Sequence, residues 1–382
     1  MKYQPLVQSV SVMYDCYLNS KEPAKQAAMI QTENQSAQQA TPSPEKKTAK
    51  SLIKQVVMIG AAGALLYFSF RGCDLAAIWA YSVKTNPLFL VLLLVNGIIS
   101  HVIRAVRWIL LLNPLTADGH KISLFNSFSA VIMGYAVNIA VPRGGEVVRL
   151  VSISRSEKLP VAGVLPTMFI DRLLDIAFLA LLLGITLMVV PKSIFGELPA
   201  WLVPGGIGLT IATFVGLGVL PHVHKIISWI LQMPFVKAKL PEKWATKFAD
   251  LSDQFGEGTK SLTDPVAYLP IALLSAVMWV CYWLNLYLVI LAFNIQDKVT
   301  PLNTLITFTI GSIGVLVPTP GSVGGYHYLL SQGLMKTSGL NQELALAVAT
   351  VQHFICFILV ACIPAAFCMA VQSMRKGKAT AE

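Results

Sequence analysis

The residues best suited to chemistry are three ionisable side chains at the head of an apolar stretch: Asp171, Arg172 and Asp175. On insertion scales a charge at the centre of a bilayer costs about 2.5–3.5 kcal/mol, so such groups are usually paired or functional. Asp171 and Asp175 share a helix face, and Arg172 and Asp175 have the spacing of an ion pair. Two interpretations stay open. The group locks helices together, or Arg172 neutralises an anionic headgroup that the carboxylates orient.

A second basic motif joins two apolar stretches. It contains Arg143, Gly144, Gly145, Glu146 and Arg149. Glycines that open a helix let backbone N–H groups approach an anion, and the helix N-terminus is electropositive. The two guanidinium groups suit a lipid phosphate because each is a planar donor. The structural alternative is an ion pair between Glu146 and Arg149.

A second cluster of glycine and proline carries hydroxyls and an imidazole instead of charges. Its candidate residues are Thr319, Gly321, Ser322, Gly324, Gly325 and His327, and His353 follows in the next apolar run. Polar groups of this kind satisfy backbone atoms that prolines leave unpaired inside a membrane. His353 on an apolar face is more typical of a buried imidazole than of a proton relay. We nevertheless include both histidines among the candidates for headgroup binding.

The composition places these motifs in a membrane protein. Hydrophobic residues make up 55% of the chain and charged residues 13%, against about a quarter charged in soluble domains. The net charge of +10 does not indicate nucleic-acid binding, because the basic residues flank apolar segments and are typical of orientation signals. The fold class predicted is all-α and polytopic.

The apolar segments predict about six full transmembrane helices and two re-entrant half-helix pairs. About 20 residues of helix cross a bilayer. The six full spans are expected at 52–70, 86–112, 160–190, 201–220, 265–293 and 341–371. Two further segments, 122–141 and 302–317, end abruptly in Gly/Pro clusters and resume as helices at 145–158 and 323–335.

The positive-inside rule favours re-entry over two additional spans. If both short segments turn back, the basic residues concentrate on the cytoplasmic side and both termini are cytoplasmic. Only Arg71, Lys84, Lys192, Lys298 and Lys336 then lie outside. The polar, basic loop 221–264 is predicted to be an amphipathic segment on the anionic inner leaflet. Arg104, Arg107 and Trp108 are typical of anchors at the membrane interface.

The two re-entrant units also resemble each other, which predicts an inverted repeat. Asn126, Gly134 and Pro142 recur at nearly the same spacing as Asn303, Gly311 and Pro318. Transporters with inverted repeats place interrupted helices and the substrate site near the midplane. The domain prediction is a disordered cytoplasmic tail 1–50, a transmembrane domain 51–372 with repeat units 121–190 and 300–371, and a cytoplasmic tail 373–382.

Several functions lack their sequence signatures. There is no His-Glu-x-x-His motif, no phosphate-binding loop of the Walker type and no Gly-x-Ser-x-Gly elbow. The six cysteines form no Cys-x-x-Cys pair. We therefore expect no metal, no cofactor and no enzymatic activity.

The motifs together resemble the lysylphosphatidylglycerol synthase transmembrane (flippase-like) family over roughly residues 50–372. The resemblance rests on Pro142-Arg143-Gly144-Gly145-Glu146, on Asp171-Arg172 with Asp175, and on the second Gly/Pro cluster. It implies re-entrant helices and transport of charged or glycosylated lipids. The best-known relatives add a cytosolic aminoacyl-transferase domain, and we expect a short form without it. Relatives often carry Glu-Arg where this chain has Asp171-Arg172.

Three functions from different classes remain after the sequence is read. The leading hypothesis is a flippase of the cytoplasmic membrane, in which a membrane lipid headgroup, phosphorylated or polyprenyl-linked, is held by Arg143, Arg149 and Arg172. The second is an intramembrane lipid-modifying enzyme with Asp171 or Glu146 as acid and base. The third is a scaffold that binds a lipid-synthesis enzyme through the basic loop.

Overall fold

The computed structural model describes residues 49–116, 120–141, 144–190, 202–219, 222–239, 242–259, 265–317 and 319–381. The chain divides into two compact units. One comprises Met1–Val57 and Ala366–Glu382, in which 49–57 and 366–381 are helical. The other, Met58–Ala365, contains both helical hairpins, the cavity and the ion-pair cluster described below.

The described residues form helices and no strands. Up to the long basic loop, the α-helices are α1 (Ala49–Phe70), α2 (Leu75–Val83), α3 (Pro87–Leu112), α4 (Leu124–Ala140), α5 (Gly144–Glu157), α6 (Val161–Val189) and α7 (Leu202–Val219). They continue as α8 (Val223–Gln232), α9 (Pro234–Lys239), α10 (Glu242–Thr259), α11 (Pro265–Ala292), α12 (Pro301–Val315), α13 (Gly325–Ser338), α14 (Gln342–His353) and α15 (Val360–Ala381). A π-helical turn, Phe354–Leu359, joins α14 to α15.

The apolar helices confirm a multi-pass membrane protein. Among the described residues, four helical stretches are long and apolar enough to cross a bilayer: Pro87–Leu115, Val161–Val189, Tyr268–Ala292 and Gln342–Met374. All four coincide with predicted spans. The predicted span 52–70 contains the first helix of a bent pair. The two helices of this pair, Gly60–Phe70 and Leu75–Val83, are bent by 85° at the break between them. The sequence reading did not anticipate α2.

Side-chain caps define where several of these helices begin. The Asn86 side chain accepts a hydrogen bond from Leu88 N, and Pro87 supplies the fixed backbone angle of a first helical residue. Thr300 caps α12 in the same way, and again a proline follows the cap. Because each cap pairs backbone N–H groups at a helix start, the helix ends are fixed at these points.

The two short apolar segments form helical hairpins with the same construction. The first hairpin is α4 with α5, and the second is α12 with α13. In the first, a Cβ built on Gly145 would overlap the carbonyl oxygen of Gly134. In the second, a Cβ on Gly314 would lie 2.6 Å from the carbonyl oxygen of Gly325. Only glycines allow the paired helices to approach this closely. The sequence alignment matched Gly134 with Gly311, whereas the packing matches it with Gly314.

An asparagine near the start of each hairpin contacts the end of its second helix. Asn126 Nδ2 donates to Glu157 Oε1 over 2.7 Å, and the same oxygen accepts from Ser123 N over 3.1 Å. Asn303 Nδ2 donates to the carbonyl of Thr337 over 3.0 Å. These bonds close the base of each hairpin and leave the Gly/Pro ends as the tips.

Each hairpin is packed in its own apolar core. The core around the first hairpin is formed by buried residues of α3 to α6, including Trp108, Ile153 and Ile170. The core around the second is formed by α11 to α14, including Leu286 and Leu330. Helix α3 extends through both cores.

Candidate functional site

The carboxylates predicted from sequence are held by two arginines of a different helix. Arg104 contacts Asp171 over 2.9 Å and Asp175 over 2.7 Å. Arg107 contacts the same two carboxylates over 2.6 and 2.8 Å. The residues lie three apart on α3 and four apart on α6, so both pairs face each other across the helix contact. All four pairings form one network rather than separate salt bridges.

A third arginine reaches this network from the first hairpin. Arg149 Nη1 donates to Asp171 Oδ2 over 2.8 Å, and its guanidinium lies 3.8 Å from the centre of the Trp108 ring. Trp108 Nε1 in turn donates to Thr167 Oγ1 over 3.0 Å. Arg149 and Asp171 are 3% and 0% exposed, so this contact attaches α5 firmly to α6.

Glu146 and Arg172 form the most exposed ion pair of the cluster. They are joined side chain to side chain, with exposed fractions of 32% and 40%. Arg172 lies 3.9 Å from Asp175, at the outer limit of the pairing expected from sequence. The suggested pair between Glu146 and Arg149 is wrong, because Glu146 binds Arg172 and Arg149 binds Asp171.

The described cluster carries one excess positive charge. Four guanidinium groups face three carboxylates. Arg104, Arg107 and Arg149 are almost fully buried and hold the two aspartates, so they are fixed by geometry. Arg172 is the arginine with solvent access, and a single carboxylate on the first hairpin is its close partner.

A cavity of about 500 Å³ opens next to this pair. The charged residues of its lining are Arg104, Glu146, Arg172 and Asp175. The second hairpin and α14 contribute uncharged polar groups to the same lining, among them Thr319, Ser322 and Gln352. The volume falls in the range of about 300–1,000 Å³ typical of small-ligand pockets.

Aromatic rings form part of the cavity wall. Tyr282 accepts a hydrogen bond from Arg104 Nη2 over 3.2 Å. Trp279 packs edge-on against Tyr282 and against Phe308, with ring centres 5.8 and 6.0 Å apart. Phe357, in the π-helical turn, lies 4.9 Å from the ring of Tyr326. All these residues line the cavity, so its walls are largely apolar and aromatic.

The tips of the two hairpins meet at this cavity. A Cβ on Gly321 would lie 3.7 Å from the Cα of Ile139 in the first hairpin. The Gly321 carbonyl is hydrogen-bonded to His353 Nε2 over 2.8 Å. The His327 ring lies 4.5 Å from the His353 ring, centre to centre. The two histidines therefore support the second tip from behind.

The structure divides the candidate residues into two groups. Those that line the cavity are Glu146, Asp175, Arg172, Thr319, Gly321 and Ser322. Those that position the lining without being part of it are Gly144, Gly145, Arg149, Asp171, Gly324, Gly325, His327 and His353. Gly324 has a positive φ of 89°, and a Cβ there would lie 2.7 Å from Leu65 Cβ. Arg143 lies outside the described residues.

The sequence reading missed the arginines that matter most to the carboxylates. Arg104, Arg107 and Trp108 were interpreted as interfacial, and that was wrong: they are 3%, 0% and 0% exposed. Charge balance supplies the signal that would have found them. Two carboxylates on one face of an apolar helix need cationic partners, and arginines three apart on another apolar helix fit that need.

Comparison with known proteins agrees with this architecture. A family model described as "Lysylphosphatidylglycerol synthase TM region" matches residues 53–363. The chain belongs to this family. Its match covers both hairpins, the cavity and every ion pair of the cluster.

One curated relative is an "UPF0104 membrane protein" of Methanocaldococcus jannaschii. It is 29% identical to this family member over 134 residues, which are 34% of the chain and 38% of the relative. The chain therefore matches well under two thirds of that relative's length. No solved structure matches the chain.

Proposed function

We propose that the protein is a flippase, which carries an anionic lipid headgroup across the cell membrane through the cavity between the hairpin tips. The observation that carries the proposal is the cavity itself: it has a solvent-accessible guanidinium in its lining, apolar and aromatic walls, and the Gly321 turn of the second hairpin against Ile139 of the first. A headgroup of modest size fits this volume, while acyl chains remain in the surrounding bilayer.

The ion-pair network supports a fixed platform rather than a catalytic centre. Both carboxylates that line the cavity, Glu146 and Asp175, are paired with arginines. A carboxylate held in this way is poorly suited to accept and return protons during a reaction. We therefore propose transport without a chemical step, in which the headgroup phosphate takes the place of Glu146 beside Arg172.

The hairpins are proposed to be re-entrant and to enter from opposite membrane faces, as an inverted repeat. Each has two short helices crossing at a glycine pair and an asparagine that closes its base. Six full spans with both termini in the cytoplasm give the basic residues their concentration on that side. Non-helical backbone at the tips is then tolerable because it is buried in protein or lines the cavity.

The basic loop is proposed to lie on the anionic inner leaflet. Ile226, Trp229 and Ile230 are exposed on α8 at helical spacing and form an apolar stripe suited to the interface. Helix α10 packs closely on α6, since a Cβ on Gly258 would overlap the carbonyl oxygen of Gly163. Deleting the whole loop would therefore also remove this packing contact. Quenching of the Trp229 signal by brominated anionic lipid therefore tests this placement better than deletion of the loop. No quenching would contradict it.

The transport proposal is tested with protein reconstituted in vesicles that contain a trace of fluorescent phosphatidylglycerol. Accessibility of the label to dithionite measures exchange between leaflets. The wild-type protein is expected to accelerate exchange. Arg172→Ala is expected to slow the protein-dependent exchange at least about tenfold, because the substitution removes a charge-assisted contact with the headgroup. Arg155→Ala is the matched control, because Arg155 is exposed on α5 and does not line the cavity.

The outcome separates transport from the two alternatives. A scaffold or a lipid-modifying enzyme would leave exchange at the rate of protein-free vesicles. No acceleration across anionic, zwitterionic and polyprenyl-phosphate lipids would reject the flippase proposal. Equal slowing by Arg155→Ala would show that the effect of Arg172→Ala comes from general surface charge and not from the cavity.

A further inference from the structure

The cavity contains polar atoms that the ion-pair network leaves unused. Within the described part of the chain, four lining side chains each carry a buried nitrogen or oxygen without a hydrogen-bond partner: His101 Nδ1, Trp279 Nε1, Thr319 Oγ1 and Gln352 Oε1. Three of these residues are at least nine-tenths buried, with exposed fractions of 7% for His101, 6% for Thr319 and 3% for Gln352. Buried polar groups are normally paired, so each unpaired group here needs an explanation.

These groups have a chemical character in common. They include donors and acceptors, and they belong to an imidazole, an indole, a hydroxyl and an amide. The described residues that line the cavity include two carboxylates, Glu146 and Asp175, and both are paired with arginines. A cationic headgroup would therefore find no free anionic partner there. A hydroxyl group, which both donates and accepts, matches the set.

The aromatic wall fits the same ligand. Trp279 and Phe308 line the cavity with ring centres 6.0 Å apart, and Tyr326 and Phe357 line it with ring centres 4.9 Å apart. Sugars present apolar C–H faces that pack on aromatic rings, with hydroxyls at their edges. A phosphate at Arg172 would place such a group along this wall, within the same 500 Å³ cavity.

We infer that the site takes a lipid phosphodiester whose headgroup is an uncharged polyol or sugar, with the phosphate at Arg172 and the hydroxyls at Thr319 and Gln352. This inference rests on the proposed function for the direction of entry, but it concerns binding and is tested without transport. Thr319 and Gln352 are the specificity residues. A site built to bond hydroxyls rejects an analogue that lacks them, because its buried polar groups then stay unpaired.

The experiment compares two lipids of equal charge. The purified full-length protein in detergent is titrated with phosphatidylinositol and with phosphatidylethanol, which share a phosphodiester and differ in the polyol. Phosphatidylinositol is expected to bind about tenfold more tightly or better, as one or two net hydrogen bonds supply. Lysylphosphatidylglycerol, with its cationic headgroup, is expected to bind more weakly than phosphatidylinositol. Glycerophosphoinositol, without acyl chains, is expected to bind more weakly still.

Variants assign the preference to named residues. Gln352→Leu and Thr319→Val are each expected to lower the affinity for phosphatidylinositol to that for phosphatidylethanol. The affinity for phosphatidylethanol is expected to stay unchanged. Arg172→Ala is expected to weaken the binding of both lipids. Gln332→Leu is the matched control, since Gln332 lies on α13 away from the cavity and its Nε2 donates to the Met335 sulfur. A thermal melt of each variant checks that the fold is kept, and Thr319→Ala, which also removes the hydroxyl, serves if Thr319→Val unfolds.

Three results would overturn the inference: equal affinity for phosphatidylinositol and phosphatidylethanol, tightest binding of lysylphosphatidylglycerol, or equal affinity for the soluble glycerophosphoinositol. The first two results would reject a polyol headgroup as the ligand, and the third would reject the requirement for a lipid. Each is distinct from failure of the transport proposal. A protein that prefers phosphatidylinositol but does not accelerate leaflet exchange keeps this inference and loses the flippase assignment, and the converse also holds.

Discussion

Asp171 is fully buried and accepts hydrogen bonds from Arg104, Arg107 and Arg149, which belong to two other helices. A buried charge removed from such a network leaves its partners uncompensated in a medium of low dielectric constant. The loss on breaking a buried pair is about 3–5 kcal/mol, far above the value of an exposed one. The Asp171 carboxylate therefore holds the three helices together, while contact with the ligand is proposed for Arg172.

Asp171→Asn is expected to lower the free energy of unfolding by about 3–5 kcal/mol, because three guanidinium groups lose their shared anion. Chemical or thermal unfolding in detergent measures the change. Asp253→Asn is the control, since Asp253 is exposed on α10 and its replacement should stay within about 0.5 kcal/mol. An Asp171→Asn protein as stable as the wild type would contradict the network.

At this scale the sequence predicted the acids but not their partners. Asp171 and Asp175 are conspicuous because they interrupt an apolar run. Arg104 and Arg107 also interrupt one, but they lie in the C-terminal part of α3, where arginines often reach toward headgroups. Which interpretation is correct depends on how α3 packs on α6. That packing is long-range and leaves no local pattern in the chain.

The helical hairpins depend on backbone contact between paired glycines. In the first, α4 and α5 cross where Gly134 and Gly145 lie against each other, and Asn138 Oδ1 accepts from Gly145 N over 2.9 Å near the tip. In the second, Gly314 and Gly325 have the same role. A side chain at either crossing must push the two helices apart.

Gly145→Ala and Gly314→Ala are each expected to destabilise the protein by about 1–3 kcal/mol, the cost of overpacking a well-fitted contact. Gly184→Ala in α6 is the matched control, because a Cβ there meets nothing within 4 Å. Alanine should leave that helix unchanged or slightly more stable. Unfolding in detergent compares the three. Equal effects at all three positions would show that the crossings are not close-packed.

Much at the element scale was predictable, because hydropathy and Gly/Pro breaks are local signals. Both hairpins and four spans lie where the sequence places them, and the structure also contains the helix Leu202–Val219 in the segment predicted to be a fifth. The bend after Phe70 was not anticipated, since Gly72 and the Asp74 cap are ordinary helix-end signals whose angle depends on packing. The predicted repeat matches Gly134 with Gly311, whereas by packing Gly134 corresponds to Gly314, because Gly134 crosses Gly145 and Gly314 crosses Gly325.

At the scale of the whole molecule, the proposed topology places α8 and the end of α13 on opposite sides of the membrane. In a background without native cysteines, Lys336→Cys is expected to react with an impermeant maleimide on intact cells. Lys225→Cys is expected to react only after permeabilisation. Both positions are exposed, so accessibility reports the membrane side. Labelling of both from the same side would reject the inverted arrangement.

The excess positive charge of the cluster beside the cavity predicts a dependence on membrane potential. Four guanidinium groups and three carboxylates leave the described cluster with one positive charge, which a monoanionic phosphodiester would cancel. The free energy of the occupied, neutral site would then not depend on the membrane potential. Moving the vacant, positively charged site through the field would change its free energy by up to about 2.3 kcal/mol per 100 mV. We expect leaflet exchange in vesicles to change when a potassium diffusion potential is imposed with valinomycin. A rate independent of voltage would mean that the vacant site carries no net charge through the field.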